Sequence, residues 1–389
     1  MLPLILQSNV SEIKNQKSTM DKTAWYNLQN LDTLDTPALV WYPSRIAQNI
    51  DTLVTMLPEV SRLRPHVKTH KCQEVTELML AKGITKFKCA TIAEAEMLAI
   101  CQAPDVLLAY QPVATKLQRF ITLIQTYTTT QFSCLVDDLS VAQAIATAAI
   151  QHEITINVYI DLNVGMNRTG ILPQKAEELI NALLDLKGIA VKGLHAYDGH
   201  IRDKDLALRT ENCHQAFVPV FALASGFSEK GITLQVVAGG SPTFPIHAQN
   251  PQVECSPGTF PLWDKGYKDA FPEQAFEPAA LVLSRVISHP STNRICIDLG
   301  HKSVAAENDL NRRVHFLNAS DAQFIGQSEE HLVLEVSDIQ DFPIGKVLYG
   351  VPIHVCPTVA LYERAYLAEN QSITDRYWKV IARDRKINV

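Results

Sequence analysis

Lys68 stands in the run Arg64-Pro65-His66-Val67-Lys68-Thr69-His70-Lys71, where cationic and imidazole side chains crowd one amine. Positive neighbours disfavour the ammonium form, so such a lysine is tuned toward the neutral amine that attacks an aldehyde. The same charges attract phosphate. A lysine able to form a Schiff base beside a phosphate site is the signature of pyridoxal phosphate chemistry. An exposed basic strand end would carry the same residues, so the octapeptide has to be weighed with the rest of the chain.

Three further groups belong to that weighing. In the turn Gly239-Gly240-Ser241-Pro242-Thr243, two residues without Cβ precede hydroxyls, an arrangement whose backbone N–H groups can cradle a phosphate. Pro257-Gly258-Thr259 follows close behind and would complete the cup. Arg168 lies in the Gly-flanked loop Asp161–Gly170, and Tyr197 lies in His195-Ala196-Tyr197-Asp198-Gly199-His200. A guanidinium there can bond a cofactor ring oxygen or a carboxylate, and the phenol can stack on a ring. Taken singly, a plain turn, a surface salt bridge and a rim aromatic account for each.

His354-Val355-Cys356 offers a different chemistry. In an extended strand, residues i and i+2 share a face, so the spacing predicts imidazole and thiol side by side. That is a good zinc pair, and two protein ligands leave positions open for water or substrate.

The elements that must position these groups show in the hydrophobic pattern. From about residue 37 to 245, within a barrel domain read as residues 37–275, short β-branched runs alternate with amphipathic segments. Strands are expected at Pro37–Tyr42, Arg64–Thr69, Lys86–Ala90, Val106–Tyr110, Phe132–Asp137, Ile154–Leu162, Ala190–Tyr197 and Leu234–Ala238, with helices between them. This many parallel βαβ units predicts an α/β fold, a (β/α)8 TIM barrel, whose functional residues lie at strand C-terminal ends. Lys68, the Asp161 loop, the His195 segment and the Gly239 turn all fall there. Residues 276–389, joined by 23–36, read as a smaller antiparallel β domain of about 110 residues. Its expected strands include Ala280–Ser288, Arg294–Asp298, His331–Val336, Lys346–Leu348, Ile353–Val355 and Tyr377–Ile381. Residues 1–22 are expected to be a disordered extension.

Composition narrows the function classes. The chain of 389 residues is 47% hydrophobic and 20% charged with a formal charge of -6, which argues against a nucleic-acid partner. No apolar run approaches the ~20 residues that span a bilayer. Eight scattered cysteines without CxxC spacing read as reduced thiols of a cytoplasmic protein.

The motifs RPHVKTHK, NRTG, AGGSPT, ECSPGT and HVCPT, in that order, resemble fold-type III pyridoxal phosphate enzymes related to D-threonine aldolase and eukaryotic-type D-serine dehydratase. The resemblance covers roughly residues 33–385. It implies an alanine-racemase-like barrel with a β domain, a homodimer, and a D-amino acid substrate. It also implies Lys68 as the Schiff-base lysine and Arg168, His195 and Tyr197 near the cofactor ring. Gly240, Ser241, Gly258 and Thr259 fall at the phosphate-contacting turns, and His354 and Cys356 at the metal ligands, with Zn²⁺ expected and Mn²⁺ the alternative. The Ala-Tyr-x-Gly core of the His195 segment looks more like an aldolase, whereas Cys356 looks more like the zinc dehydratases. His195 departs from both patterns, where Gln or Tyr is commoner. For retro-aldol cleavage, His200 and Asp203 are the candidate bases. Racemisation and a non-catalytic cofactor-binding role are the runners-up, and the metal pair argues against both.

Overall fold

The structure, a computed structural model, describes residues 24–389, so the expected N-terminal extension lies outside the described residues. Strand β1 is Ala38–Trp41. Seven parallel strands follow: β2 (Lys86–Cys89), β3 (Asp105–Leu108), β4 (Gln131–Val136), β5 (Ile156–Leu162), β6 (Ile189–Ala196), β7 (Gln235–Ala238) and β8 (Val253–Cys255). They form one sheet in the order β2-β3-β4-β5-β6-β7-β8.

The segment Leu63–Val67 closes that sheet into a barrel. Arg64 N–H donates to Cys255 O at 2.8 Å and His66 N–H to Pro257 O at 2.9 Å, while Val67 N–H donates to Lys88 O at 3.0 Å and Lys88 N–H to Pro65 O at 2.8 Å. The expected strand Arg64–Thr69 is thus only a pair of bridges, Leu63 to Cys255 and His66 to Lys88. Pro65 has no N–H to extend the ladder, and from Val67 the chain already turns.

Helices α1 (Pro43–Met56), α2 (Gln73–Ala81), α3 (Ile92–Ile100), α4 (Thr115–Thr126), α5 (Leu139–Gln151), α6 (Pro173–Leu184) and α7 (Leu206–Glu229) fall in the amphipathic segments between the strands. Their starts carry recognisable caps. Thr91 Oγ1, Asp138 Oδ1 and Asp205 Oδ1 accept from Glu94 N, Val141 N and Leu208 N at 3.0, 3.1 and 2.8 Å, and proline opens α1 and α6. Among the described residues no helix is long and apolar enough to cross a membrane, and all eight cysteines are free thiols.

Eight more strands build the second sheet: β9 (Ala280–Ser291), β10 (Arg294–Ile297), β11 (Val314–Phe316), β12 (Gln323–Gln327), β13 (Leu332–Glu335), β14 (Val347–Pro352), β15 (Arg364–Glu369) and β16 (Ser372–Lys379). Its order is β12-β13-β10-β9-β1-β15-β16, with β14 between β9 and β11. β1 therefore belongs to this sheet and not to the barrel, as its pairing with β9 and β15 shows. The sheet is antiparallel apart from the β1–β15 pair. Gln29 bridges Ser372, so the arm before β1 runs beside the late strands. Residues 353–355, expected as a strand, instead turn into a short helix, Val355–Val359, with His354 as its N-cap residue.

Period-2 alternation layers the barrel interior. At one end Arg64 pairs with Glu254 at 2.8 Å and Asp105 at 2.7 Å, and Lys86 also pairs with Glu254. Leu107, Leu135, Tyr159 and Val237 form the apolar layer. One pleat further on, Lys88, Asp161 and His195 occupy the end of the barrel where the strands finish.

Candidate active site

A cavity of two lobes, about 300 and 580 Å³, opens at that end, and both lobes are lined by His66, Lys68, Lys88, Met166, Arg168 and Tyr197. The larger lobe also reaches Gly240, Ser241, Ser256, Gly258, Thr259, His354 and Cys356. The structure therefore brings the expected lysine, arginine, tyrosine, phosphate turns and metal pair into one space. His200 and Asp203 do not line it. His200 packs against Gly165, and Asp203 accepts a hydrogen bond from Asn212 on α7 at 2.9 Å.

The octapeptide divides its labour in a way the sequence reading missed. Arg64 is neutralised by Asp105 and Glu254 at the far end of the barrel, and Lys71 is paired with the buried Glu94. The cations near Lys68 come instead from distant segments. Lys68 Nζ, Lys88 Nζ and Arg168 Cζ lie 5.5, 5.9 and 5.0 Å from the centroid of the Tyr197 ring. Three cations around one phenol, with a hydroxyl-lined cup beside them, suit an anionic aromatic guest. His66 is held neutral, first by burial and then by the adjacent charges of Lys68 and Lys88.

Tyr197 is slotted between two glycines. A Cβ at Gly199 would lie 2.3 Å from the Tyr197 ring, and one at Gly240 would lie 3.1 Å away. Arg168 is presented by a loop that Asn163 organises, its Oδ1 accepting from Gly165 N at 3.0 Å and Asn167 N at 3.1 Å. Asn163 N and Ile171 N close the loop base on Ile171 O and Asp161 O.

The two turns of the cup are tied together. Ser241 Oγ accepts from Thr259 N at 3.2 Å, and Ser241 O accepts from Gln274 Nε2 at 2.9 Å. A Cβ at Gly258 would meet His66 O at 3.0 Å, so the backbone approaches the octapeptide closely only as glycine. Behind the cup Asp198, Cys213 and His247 form a buried group whose donor atoms lie within 4.8 Å of one another. Asp198 accepts from His247 at 2.7 Å and from Thr243 Oγ1 at 2.9 Å. Burial keeps the Cys213 thiol protonated, so these three brace the Gly239–Thr243 turn through hydrogen bonds.

His354 and Cys356 come together across one turn at a helix start. Burial alone would push the Cys356 thiol up, but the hydrogen bond and charge of His354 bring it below its ordinary value. Burial would lower His354, yet the Cys356 hydrogen bond raises it to about 9. Thr69 Oγ1 lies 3.0 Å from Cys356 Sγ and links the pair to the lysine segment. His354 Nδ1 donates to Glu307 Oε1 at 2.5 Å, which leaves Nε2 to ligate a metal. Glu307 also lines the cavity, and sequence reasoning gave no signal for it. Glu307→Gln is expected to lower divalent-metal affinity about 10- to 100-fold, measured by titration of the metal-free protein; an unchanged affinity would remove Glu307 from the site.

The alanine racemase N-terminal domain model matches residues 43–259, and the serine dehydratase domain model matches residues 279–368. The chain is 28% identical over 367 residues to a D-threonine aldolase of Arthrobacter sp., covering 91% of this chain and 94% of that protein. It is 25% identical over 362 residues to a D-threo-3-hydroxyaspartate dehydratase of Delftia sp. (strain HT23), covering 85% of this chain and 93% of that protein. The crystal structure of D-threonine aldolase from Filomicrobium marinum superposes with a TM-score of 0.83 at 25% identity, over 92% of this chain and 98% of that one.

Proposed function

Because the chain belongs to the alanine racemase N-terminal domain family, we propose that it is a pyridoxal-phosphate- and divalent-metal-dependent lyase acting on D-β-hydroxy amino acids. The reaction we assign is D-threonine-aldolase-like, cleaving the substrate to glycine and an aldehyde. The observation that carries this reading is the single cavity in which Lys68, Lys88 and Arg168 surround Tyr197 while His354 and Cys356 face the same lobe.

The residues fit the cofactor. Glycines at 240 and 258 open a cup that a Cβ would crowd, and the hydroxyls of Ser241, Ser256 and Thr259 line it. Pyridoxal phosphate, when bound, supplies an electron sink for the electron pair left at the substrate α-carbon. Lys68 holds the cofactor and offers an amine for proton transfer. The two turns would bind its phosphate, and Tyr197 and Arg168 would hold its ring. His354 and Cys356 would hold a divalent metal, and the chemistry it would supply is Lewis-acid polarisation of a substrate oxygen.

Dehydration to a 2-keto acid and ammonia is the second reading, favoured by the soft thiolate of Cys356 at the metal. A panel of D-threonine, D-serine and D-3-hydroxyaspartate, incubated with the holoenzyme and Zn²⁺ or Mn²⁺, decides between them. Glycine with an aldehyde supports the aldolase. Ammonia with a keto acid refutes it in favour of the dehydratase, and no product from any member rejects both.

A further inference from the structure

Lys88 is a second lysine in the cavity, and its surroundings differ from those of the other buried-end lysines. Lys71 and Lys86 each rest on a carboxylate. Lys88 is 2% exposed, and among the described residues no carboxylate lies in ion-pair contact with it. Its hydrogen-bond partner is a neutral ring: Lys88 Nζ lies 3.4 Å from His195 Nε2. His195 Nδ1 in turn donates to Asp161 Oδ1 at 2.7 Å, which fixes the tautomer and leaves Nε2 as an acceptor for the lysine. All three side chains line the cavity. β2 supplies Lys88, while β5 and β6 place Asp161 opposite His195 in register, so the chain Asp161–His195–Lys88 is held by strands rather than loops.

We propose that Lys88, backed by the Asp161–His195 pair, is a second proton-transfer residue of the active site. As the neutral amine it takes the β-hydroxyl proton of the substrate while Lys68 attends the cofactor, and as the ammonium it returns that proton to the α-carbon of the product. The O–H and Cα–Cβ bonds break: the O–H pair becomes the second bond of the aldehyde carbonyl, the Cα–Cβ pair passes to the α-carbon, and there a C–H bond forms with the proton from Lys88, which ends as it began. This assignment rests on the lyase reading and fills the role for which His200 and Asp203 are misplaced. His195 and Asp161 are positioning residues that act through the amine they hold.

The electrostatics agree with the geometry. Burial first, then the charge of Lys68, lowers Lys88 to about 7, with Asp198 and Asp161 opposing and Arg64 adding to the drop. His195 is itself held neutral, by burial and then by Lys88. The other titratable groups lining this end of the cavity are Arg168 from the β5 loop, Tyr110 after β3, Tyr197 after β6 and the neutral His66 from the closing segment. A lysine near neutrality populates both forms at working pH, as proton transfer in both directions requires.

Lys88→Met and Lys88→Arg test this. In isotope-labelled lysine NMR of the cofactor-free protein, one amine is expected to titrate between about pH 6 and 8 and to vanish in Lys88→Met. In the holoenzyme both variants are expected to lose about 10²-fold in kcat with KM within about threefold, and to lose the matching inflection in the pH dependence of cofactor absorbance. Arginine restores the charge but cannot give up a proton, so rescue by Lys88→Arg would reduce Lys88 to a charge and overturn the proposal. So would the absence of any lysine titrating near neutrality in the wild type. Melting temperature and cofactor stoichiometry identify a variant that has merely misfolded, and the Lys88→Arg result then decides. If the wild type turns over no D-β-hydroxy amino acid, the lyase reading fails by itself, and the NMR and absorbance titrations still decide whether Lys88 is a proton-exchanging amine.

Discussion

Lys68→Ala is expected to remove the visible absorbance of the lysine-linked cofactor and to lower turnover by on the order of 10³-fold or more, about 4 kcal/mol of barrier. Lys68 follows the closing segment of the barrel, so its backbone is anchored. Lys68 N–H bonds to His66 Nδ1 at 3.3 Å, and Val67 pairs with β2. Alanine at 68 disturbs none of those backbone bonds, so the loss should be chemical, with little change in melting temperature. Because Lys88 shares the cavity, absorbance alone does not identify the linked lysine. Borohydride reduction of the wild-type holoenzyme followed by peptide mapping does: the cofactor mass is expected on the peptide containing Lys68. Finding it on the peptide containing Lys88 would overturn the assignment.

Much of the barrel was legible because its signals are local. Apolar runs bounded by caps such as Thr91, Asp138 and Asp205 define strands and helices without reference to the rest of the chain. What escaped depends on closure. β1 reads like any first barrel strand, and only its pairing with β9 and β15 assigns it to the second sheet. β15, Arg-Ala-Tyr-Leu-Ala-Glu, is rich in helix formers, and tertiary pairing overrides that propensity. β8 is three residues long and gives no period to detect.

The site shows the same division. Lys68, Arg168 and the glycine turns announce themselves by motif. Lys88 does not, because Lys-Phe-Lys in a short strand resembles an ordinary alternation with its polar side in water. Lys86 and Lys88 point into the barrel, and nothing in the local sequence says that the inside is the charged face. The cationic crowding first credited to Arg64 and Lys71 proves to come from Lys88 and Arg168, since the octapeptide's own cations are neutralised by Glu254, Asp105 and Glu94.

Cys356→Ala is expected to abolish stoichiometric metal binding and to cut turnover by on the order of 10²-fold or more. The substitution deletes the soft donor and leaves His354 with Glu307 alone. The pH dependence supplies a second, independent reading. His354 is raised to about 9 by its hydrogen bond to Cys356, against the lowering effect of burial. Below that pH the imidazole carries a proton that a metal must displace, so wild-type affinity should climb about tenfold per pH unit and level off above about 9. Without Cys356 the group that raises His354 is gone, and the residual weak binding should level off at lower pH, nearer the ordinary histidine value of 6.5. Cys356→Asp restores an anionic donor but a hard one, so it should recover metal binding with a preference moved from zinc toward manganese. The observables are metal content by elemental analysis, affinity as a function of pH, and turnover after chelation. Stoichiometric zinc in Cys356→Ala would dismiss Cys356 as a ligand, and full wild-type turnover in the presence of a strong chelator would take the metal out of the reaction.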